Sequence, residues 1–103
     1  MRIVVVSYKV KPDRLDEHLR LLEAVFEDLG RSKPPGLRYG VARAADGLSF
    51  THIAATEAAA NPLGALPAFQ AFTKSAADRC EAPPAAKELA VAFDYGLFAA
   101  AKA

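Results

Sequence analysis

A histidine within an otherwise apolar strand pattern is the first residue of this sequence that could do chemistry. His52 lies in LSFTHIAATE, residues 48–57, between Phe50 and Ala54. A histidine with an unperturbed pKa of roughly 6.5 can accept a proton from a phenol or quinol, and a neighbouring carboxylate can fix its tautomer. Asp94 is the candidate carboxylate, because small residues alternate around it in AVAFDYG. The sequence predicts an acid–base pair of these two residues; the alternative is a core histidine that is hydrogen-bonded internally.

The face that His52 occupies depends on the hairpin that precedes it. ADG, residues 45–47, lies between two candidate strands and is a hairpin signal. A turn through all three residues places His52 opposite Gly40, which leaves room for a ligand. It also puts Arg38 on the same face, where it could bind an anionic group, although an edge-strand arginine is more often solvated. A two-residue Asp-Gly turn places His52 opposite Val41 instead.

Aromatic side chains complete the candidate site. Tyr8 from the first strand, Phe50 beside the histidine and Phe72 from the second helix are predicted to line it. Tyr39 and Tyr95 alternate with large apolar residues, and we expect both at a subunit contact.

The other histidine and the single cysteine give weaker signals. His18 falls at the edge of the apolar stripe of the first helix, which predicts a partly exposed structural residue. Cys80 cannot form an internal disulfide and is predicted to be a partly buried helix residue. Two histidines without a matched ligand spacing specify no metal site.

Composition narrows the class of protein. The 103 residues fit one domain, residues 1–103, and 52% hydrophobic with 24% charged residues is a globular balance. With 13 basic and 12 acidic side chains the net charge is +1, which argues against nucleic acid or an anionic membrane as partner. The apolar run at the amino terminus is too short for a signal peptide or a membrane span. We therefore expect a cytoplasmic protein.

Hydrophobic periodicity predicts six elements. Strands are expected at residues 3–10, 37–44, 48–56 and 88–98, and helices at residues 12–29 and 68–82, with Gly30 ending the first helix and an unpatterned tail at residues 99–103. This β-α-β-β-α-β order is the ferredoxin-like α+β arrangement, with both helices on one face of a four-stranded antiparallel sheet. The other face would expose apolar side chains, which predicts a homodimer formed sheet against sheet.

Three segments carry a resemblance to a known family. VSYKVKPDRLDEHLRLLEAV, SFTHIAATE and LPAFQAFTKSAA resemble the dimeric α+β barrel proteins, and among them the antibiotic-biosynthesis-monooxygenase-like domains. The resemblance implies a small cytoplasmic homodimer with a pocket between sheet and helices. Some members oxidise polyphenols or quinols with oxygen and use neither metal nor flavin, so no cofactor is expected. Related members degrade haem.

This sequence departs from the family at two places. The family often has a tryptophan at the end of the third strand, where Thr56 stands, and a histidine near the second helix, where this chain reads NPLGALP. The chain has no tryptophan and no asparagine in the first strand, so the haem-degrading set of residues is absent.

Three functional hypotheses follow. The first is a cofactor-independent monooxygenase-like enzyme acting on a small aromatic or polyketide-type molecule, with His52 and Asp94 catalytic and five residues binding the substrate: Tyr8, Phe50, Arg38, Gly40 and Phe72. The second is a non-catalytic homodimer that binds a small apolar ligand or serves a stress-related role. The third is a structural dimer without a pocket.

Overall fold

The structure, a computed structural model, describes residues 2–57 and 62–97. Its strands are β1 (Arg2–Lys9), β2 (Leu37–Arg43), β3 (Ser49–Thr56) and β4 (Ala85–Leu89). Its α-helices are α1 (Leu15–Ser32), α2 (Pro67–Lys74) and α3 (Ala76–Arg79), with 3-10 turns at Pro12–Arg14 and Leu63–Ala65. The strands form one antiparallel sheet in the order β2-β3-β1-β4. The predicted ferredoxin-like fold class is confirmed.

Strand β1 is an inner strand, paired with β3 on one side and β4 on the other. Its β-branched residues suit a strand that is covered on both faces. Alternation gives the sheet a helix-facing side, which carries Val6 and Tyr8, and an open side, which carries Ile3 and Val5. On β3, His52 belongs to the helix-facing side.

Helix α1 begins after Pro12–Arg14 and runs further than its sequence predicts. The chain passes through Gly30 to Ser32, and Lys33 adopts the left-handed conformation (φ 44°) that ends the helix. The Lys33 N–H donates to the Leu29 carbonyl at 2.9 Å, which satisfies one of the free carbonyls of the last turn. The prediction that Gly30 ends the helix is wrong, because a lysine can occupy the same left-handed cap at a modest cost.

The predicted second helix is divided in two. Ser75 has non-helical angles (φ −120°, ψ 18°) and separates α2 from α3. The Arg79 guanidinium donates to both the Ser75 hydroxyl and the Phe72 carbonyl, so the side chain supports the break. Cys80 lies after α3, is buried, and forms an isolated bridge with Val10, which corrects its prediction as a helix residue.

The β2–β3 hairpin closes through a longer turn than ADG suggested. Ala44 pairs with Ser49 and leaves a four-residue loop, residues 45–48. The Asp46 carboxylate accepts hydrogen bonds from the Leu48 N–H and from the Ser49 N–H and hydroxyl at 2.7–2.9 Å. The Leu48 and Ser49 donors lower the pKa of Asp46 to about 2. An even-numbered loop sets the register, and His52 therefore pairs with Val41.

Strand β4 is earlier and shorter than predicted. It pairs with β1 from Ala85 opposite Ser7 to Leu89 opposite Ile3. In this register Ala90 falls opposite Arg2, the first residue of β1, and the residues from Val91 onward pass beyond that strand. The alternating pattern of residues 90–97 is therefore exposed: Phe93 and Tyr95 are 97% and 102% accessible. The predicted end of the strand at Phe98 and the tail of residues 99–103 lie outside the described residues.

The core lies between the helix-facing side of the sheet and the helices. Its buried apolar residues come from every layer: Val10, Leu22, Val25, Phe50, Leu63 and Phe72. On the open side, Ile53 and Leu89 are 38% and 48% exposed. The apolar residues predicted for this side are present, but their exposure is partial, because Ile3 and Ala55 on the same side are buried at 4% and 2% accessibility. In the residues that the structure describes, no helix is both long and apolar enough to cross a membrane.

Candidate functional site

His52 is buried and hydrogen-bonded at both ring nitrogens. Its Nε2 lies 2.5 Å from the Tyr8 hydroxyl, and its Nδ1 lies 2.6 Å from the Tyr39 hydroxyl. The pairing explains both contacts, because Val6 and Val41 are the direct partners of His52, and each tyrosine lies two residues along its strand from one of them. Such diagonal neighbours are within reach of aromatic side chains.

The observed register moves two predicted residues away from the histidine. Gly40 pairs with Ile53 and Arg38 pairs with Ala55, so both belong to the open side of the sheet. The predicted space opposite His52 and the predicted anion contact of Arg38 are therefore wrong, because the turn contains an even number of residues.

Asp94 and Phe50 also lie elsewhere than predicted. Asp94 is in the exposed segment after β4, where its carboxylate accepts a hydrogen bond from the Leu97 N–H at 2.9 Å. It does not share a face of the sheet with His52, because β4 ends at Leu89. Phe50 belongs to the core, where its ring stacks on Tyr8 with centroids 5.8 Å apart.

His18, which the sequence assigned to structure, and Arg79, which the sequence analysis did not single out, extend the network. The Tyr8 hydroxyl lies 2.8 Å from His18 Nε2, and the Arg79 Nε–H donates to His18 Nδ1 at 3.1 Å. Both His18 and Arg79 are fully buried. His18 is thus the centre of the buried face of α1, not its partly exposed edge. Its spacing of four and seven residues from Leu22 and Val25, both buried, was the available signal.

Tyr39 was expected at a subunit contact and instead belongs to the site. Its ring lies on the helix-facing side, stacked on Phe26 with centroids 5.2 Å apart and edge-on to Phe69. The even register was the missing information, since it puts Tyr39 diagonal to His52.

The hydrogens in this network have one consistent direction. Arginine can only donate, so His18 Nδ1 must accept and its proton lies on Nε2. His18 then donates to the Tyr8 oxygen, Tyr8 donates to His52 Nε2, and His52 donates from Nδ1 to the Tyr39 oxygen. The Tyr39 hydroxyl hydrogen is the last in the chain, and no hydrogen bond to another described residue uses it. We call this chain, from Arg79 through His18, Tyr8 and His52 to Tyr39, the relay.

Burial keeps the two histidines and two tyrosines of the relay uncharged. It lowers the pKa of His52 to about 4, and burial followed by the Arg79 charge lowers that of His18 to about 4. Burial also holds the pKa of Tyr8 and of Tyr39 well above their usual value. Near neutral pH both imidazoles are uncharged and both hydroxyls keep their protons.

The relay ends in a cavity between the sheet and the segment that contains α2 and α3. The cavity measures about 340 Å³, which falls in the range of roughly 300–1,000 Å³ that is typical of small-molecule sites. Its lining combines small and apolar strand residues with aromatic and small helix residues: Arg2, Val4, Val6, Tyr8, Tyr39, His52, Ala54, Thr56, Leu63, Phe69, Phe72, Thr73, Ala76, Ala77 and Pro84. The structure thus brings together His52, Tyr8 and Phe72 of the predicted set. The third hypothesis, a structural dimer without a pocket, is inconsistent with this cavity.

The lining of the cavity is mostly apolar, with Tyr8, Tyr39 and His52 among its polar residues. Phe69 and Phe72 form the helix side of the cavity, and Val4, Val6 and Ala54 form the strand side. Thr56, where the family often has tryptophan, also lies in the wall. Across the described part of the chain, no group of three His, Cys, Asp or Glu side chains is arranged to hold a metal ion.

Comparison with known proteins bears on the fold. Neither a family model nor a curated protein matches this sequence. Among solved structures, an antibiotic biosynthesis monooxygenase superposes with a TM-score of 0.74 at 18% identity, over 88% of this chain and 98% of that one. Rv0793 from Mycobacterium tuberculosis gives 0.74 at 20% identity, over 92% and 97%.

A third solved structure is named a cofactor-independent oxygenase. SnoaB from Streptomyces nogalater, in a mutant form, superposes with a TM-score of 0.68 at 15% identity, over 92% of this chain and 96% of that one. Such identities establish shared architecture and leave activity open. The fold implied by the three sequence segments is confirmed: the chain has the fold of the antibiotic-biosynthesis-monooxygenase-like proteins.

Proposed function

We propose that this protein is a cofactor-independent monooxygenase-like enzyme acting on a small aromatic or polyketide-type molecule. The observation that supports it is that Tyr39 and His52 both line an aromatic cavity and that the Tyr39 hydroxyl is held by His52 at 2.6 Å. A donor fixed in a dry cavity stabilises negative charge that develops on a bound oxygen. Two solved structures with this fold are named an antibiotic biosynthesis monooxygenase and a cofactor-independent oxygenase, which agrees with this chemistry.

The chemistry requires an electron-rich anion. When the phenol or enol oxygen of a substrate lies against the Tyr39 hydroxyl, its deprotonated form is stabilised and its ring is activated toward oxygen. An anthrone-type methylene then becomes a carbonyl: one oxygen atom of O2 enters the product, and the other leaves as water with the two methylene hydrogens. O2 is the oxidant: one of its atoms is incorporated into the oxidised substrate, and the other is reduced to water.

His52 has a more specific part in this proposal than its sequence suggested. Both of its ring nitrogens are engaged with tyrosine hydroxyls, so a proton from the cavity reaches it only through one of them. We propose that His52 holds Tyr39 as a donor. Its role as the group that accepts the substrate proton stays a prediction, without Asp94 as partner.

An oxygen-uptake assay with anthrone-like phenols and quinols tests the function. We expect uptake above the protein-free rate, and a drop of at least about tenfold in Ala54→Leu, because a larger side chain at the cavity wall displaces the ligand. Ala71→Leu, on the exposed face of α2 and outside the cavity lining, is the matched control and should keep wild-type uptake. Uptake that is equal in both variants would contradict catalysis in this cavity.

The second candidate is a small-ligand-binding protein without catalysis. It is favoured by the neutral, doubly hydrogen-bonded His52, which has no free nitrogen for a substrate. Aromatic ligands would then bind wild type and not Ala54→Leu, with no oxygen uptake in either protein.

We also propose that the protein is a cytoplasmic homodimer that forms through the open side of the sheet. The partly exposed Ile53 and Leu89 on this side support it, as do the accessible Phe93 and Tyr95 in the segment after β4. Apolar patches of this kind usually mark interfaces.

Light scattering tests the dimer. Ile53→Asp should shift the mass from two chains to one, because a charge buried in an apolar interface has no partner. Ala71→Asp, on the exposed face of α2, adds the same charge as a control and should leave the mass unchanged. Equal masses for wild type and Ile53→Asp would place the interface elsewhere.

A further inference from the structure

Arg79 is a buried cation whose direct partners are neutral. It is fully buried, and its guanidinium donates to His18 Nδ1, the Ser75 hydroxyl and the Phe72 carbonyl at 3.1, 2.6 and 2.7 Å. Its charged centre also lies over the Phe72 ring, 4.9 Å from the centroid. Buried arginines are usually paired with a carboxylate, and none of the ion pairs among the described residues includes Arg79.

The carboxylates around the relay have other partners. Glu17 on α1 interacts with Arg79 through space, but its oxygens accept two hydrogen bonds from Arg14. At the cavity, Arg2 pairs with Glu88. Among the described lining residues Arg2 is the one charged side chain, and no acidic side chain joins it. Among the described lining residues, no acidic side chain therefore compensates the positive charge of Arg79.

Arg79 fixes the His18 tautomer, and the direction beyond it follows because the Tyr8 hydroxyl accepts from His18 and donates to His52. Reversing the chain would point a His18 Nδ1–H at the Arg79 Nε–H, and two donors cannot share a hydrogen bond. A relay fixed in this way presents a hydrogen, not a lone pair, at the Tyr39 hydroxyl. Ligand oxygens that can only accept match this arrangement best, and charged acceptors form the strongest bonds.

We propose that Arg79 is a positioning residue that makes the cavity select ligands with an anionic oxygen, a phenolate or enolate, at the Tyr39 hydroxyl. This inference rests on the proposed function and adds the residue that makes the cavity prefer the ionised substrate. It assigns selectivity to a residue that does not line the cavity and acts through three intervening side chains.

Binding of 4-nitrophenol tests the proposal, because ionisation of this phenol changes its absorbance near neutral pH. Bound to the wild type, its apparent pKa should fall by about one or more, an approximately tenfold preference for the phenolate. Arg79→Gln should lose most of this preference, Arg79→Lys should keep more of it, and Arg31→Gln, at an exposed arginine of α1, should match the wild type. Failure of the wild type to bind, or bound 4-nitrophenol that titrates as it does in solution, would overturn the proposal.

A second measurement needs no variant. Nitrogen-15 NMR of the imidazoles should show the proton of His18 on Nε2 and that of His52 on Nδ1. The opposite tautomer at either residue would overturn the direction of the relay, even if Arg79→Gln does not fold.

These results separate the inference from the proposed function. Oxygen uptake with an unshifted 4-nitrophenol pKa would keep the enzyme and remove the role of Arg79. A shifted pKa that depends on Arg79, with no oxygen uptake, would keep the anion selectivity in a binding protein.

Discussion

Tyr39→Phe is expected to lower the turnover number by roughly 100- to 1,000-fold, the usual loss when one donor to a developing oxyanion is removed. The substitution keeps the ring, its stacking on Phe26 and its edge contact with Phe69, and removes the hydroxyl at the cavity. It also leaves the His52 Nδ1–H without its acceptor, at a cost to stability of about 1–3 kcal/mol. Steady-state kinetics with the best substrate, beside thermal unfolding, measures both effects.

Comparison with His52→Ala assigns the roles of the two residues. If His52 holds Tyr39 as a donor, the two variants should lose comparable activity. If His52 itself accepts the substrate proton, His52→Ala should be impaired far more than Tyr39→Phe. Tyr95→Phe removes an exposed hydroxyl outside the cavity and serves as the control. A turnover number for Tyr39→Phe within about threefold of wild type, far from the loss expected for an oxyanion donor, would remove Tyr39 from the mechanism.

Acidification from about pH 6.5 to about pH 4 is expected to destabilise the fold substantially. The pKa of His18 and of His52 is about 4 in the folded protein, whereas a solvated histidine has a pKa of 6.5. Between these values the unfolded chain binds a proton at each histidine and the folded chain does not, so stability falls as pH falls. Over this pH range, each histidine lowers the free energy of unfolding by roughly 3 kcal/mol. Below about pH 4 this contribution is constant.

Urea unfolding across this pH range measures the effect. The chain contains two histidines, so the imidazole contribution comes from these residues alone. His18→Gln should remove about half of the slope, because the amide can still accept from Arg79 and donate to Tyr8 without titrating. The stability that the lowered pKa of Asp46 and of Glu17 provides is lost as pH falls through and below the usual carboxylate range, at the acid end of this window and beyond it. A free energy of unfolding that is flat across the window would show that the histidines are not buried as neutral groups.

The order of elements and their buried faces could be predicted because they depend on short-range patterns. The β-branched run of β1 and the helical period of α1 each identify an element without knowledge of its neighbours. These features needed no information about pairing.

The partners of His52 stayed open between two registers, because they depend on the length of the turn, and the alternative with Val41 opposite His52 is the pairing observed. Turns of odd and even length differ in the side chain that they place opposite the histidine, and the Asp46 carboxylate stabilises the longer turn. One added residue exchanged Gly40 for Val41 and moved Arg38 to the open side.

The fourth strand shows a different limit. Its alternating pattern is real in residues 90–97, but a strand forms only where a partner is available, and β1 pairs with Ala85–Leu89 instead. Asp94 was assigned to the site from the alternating pattern alone.

The burial of Arg79 is a further feature that the pattern does not reveal. An arginine in a helical stretch with polar neighbours usually indicates a solvated residue. The fold instead buries Arg79 through hydrogen bonds to three neutral partners.

Reaction under oxygen-18 gas tests the central claim most directly, namely that O2 reacts in the Tyr39–His52 cavity without a cofactor. Metal-free protein would be incubated with the best anthrone-like substrate, and the product mass would be compared with that from Tyr39→Phe. The predicted result is one oxygen-18 atom in the product, formed faster than in the protein-free reaction and much more slowly with Tyr39→Phe. Product that forms at the protein-free rate, or that carries no label, would contradict the account and leave a binding protein of the same fold.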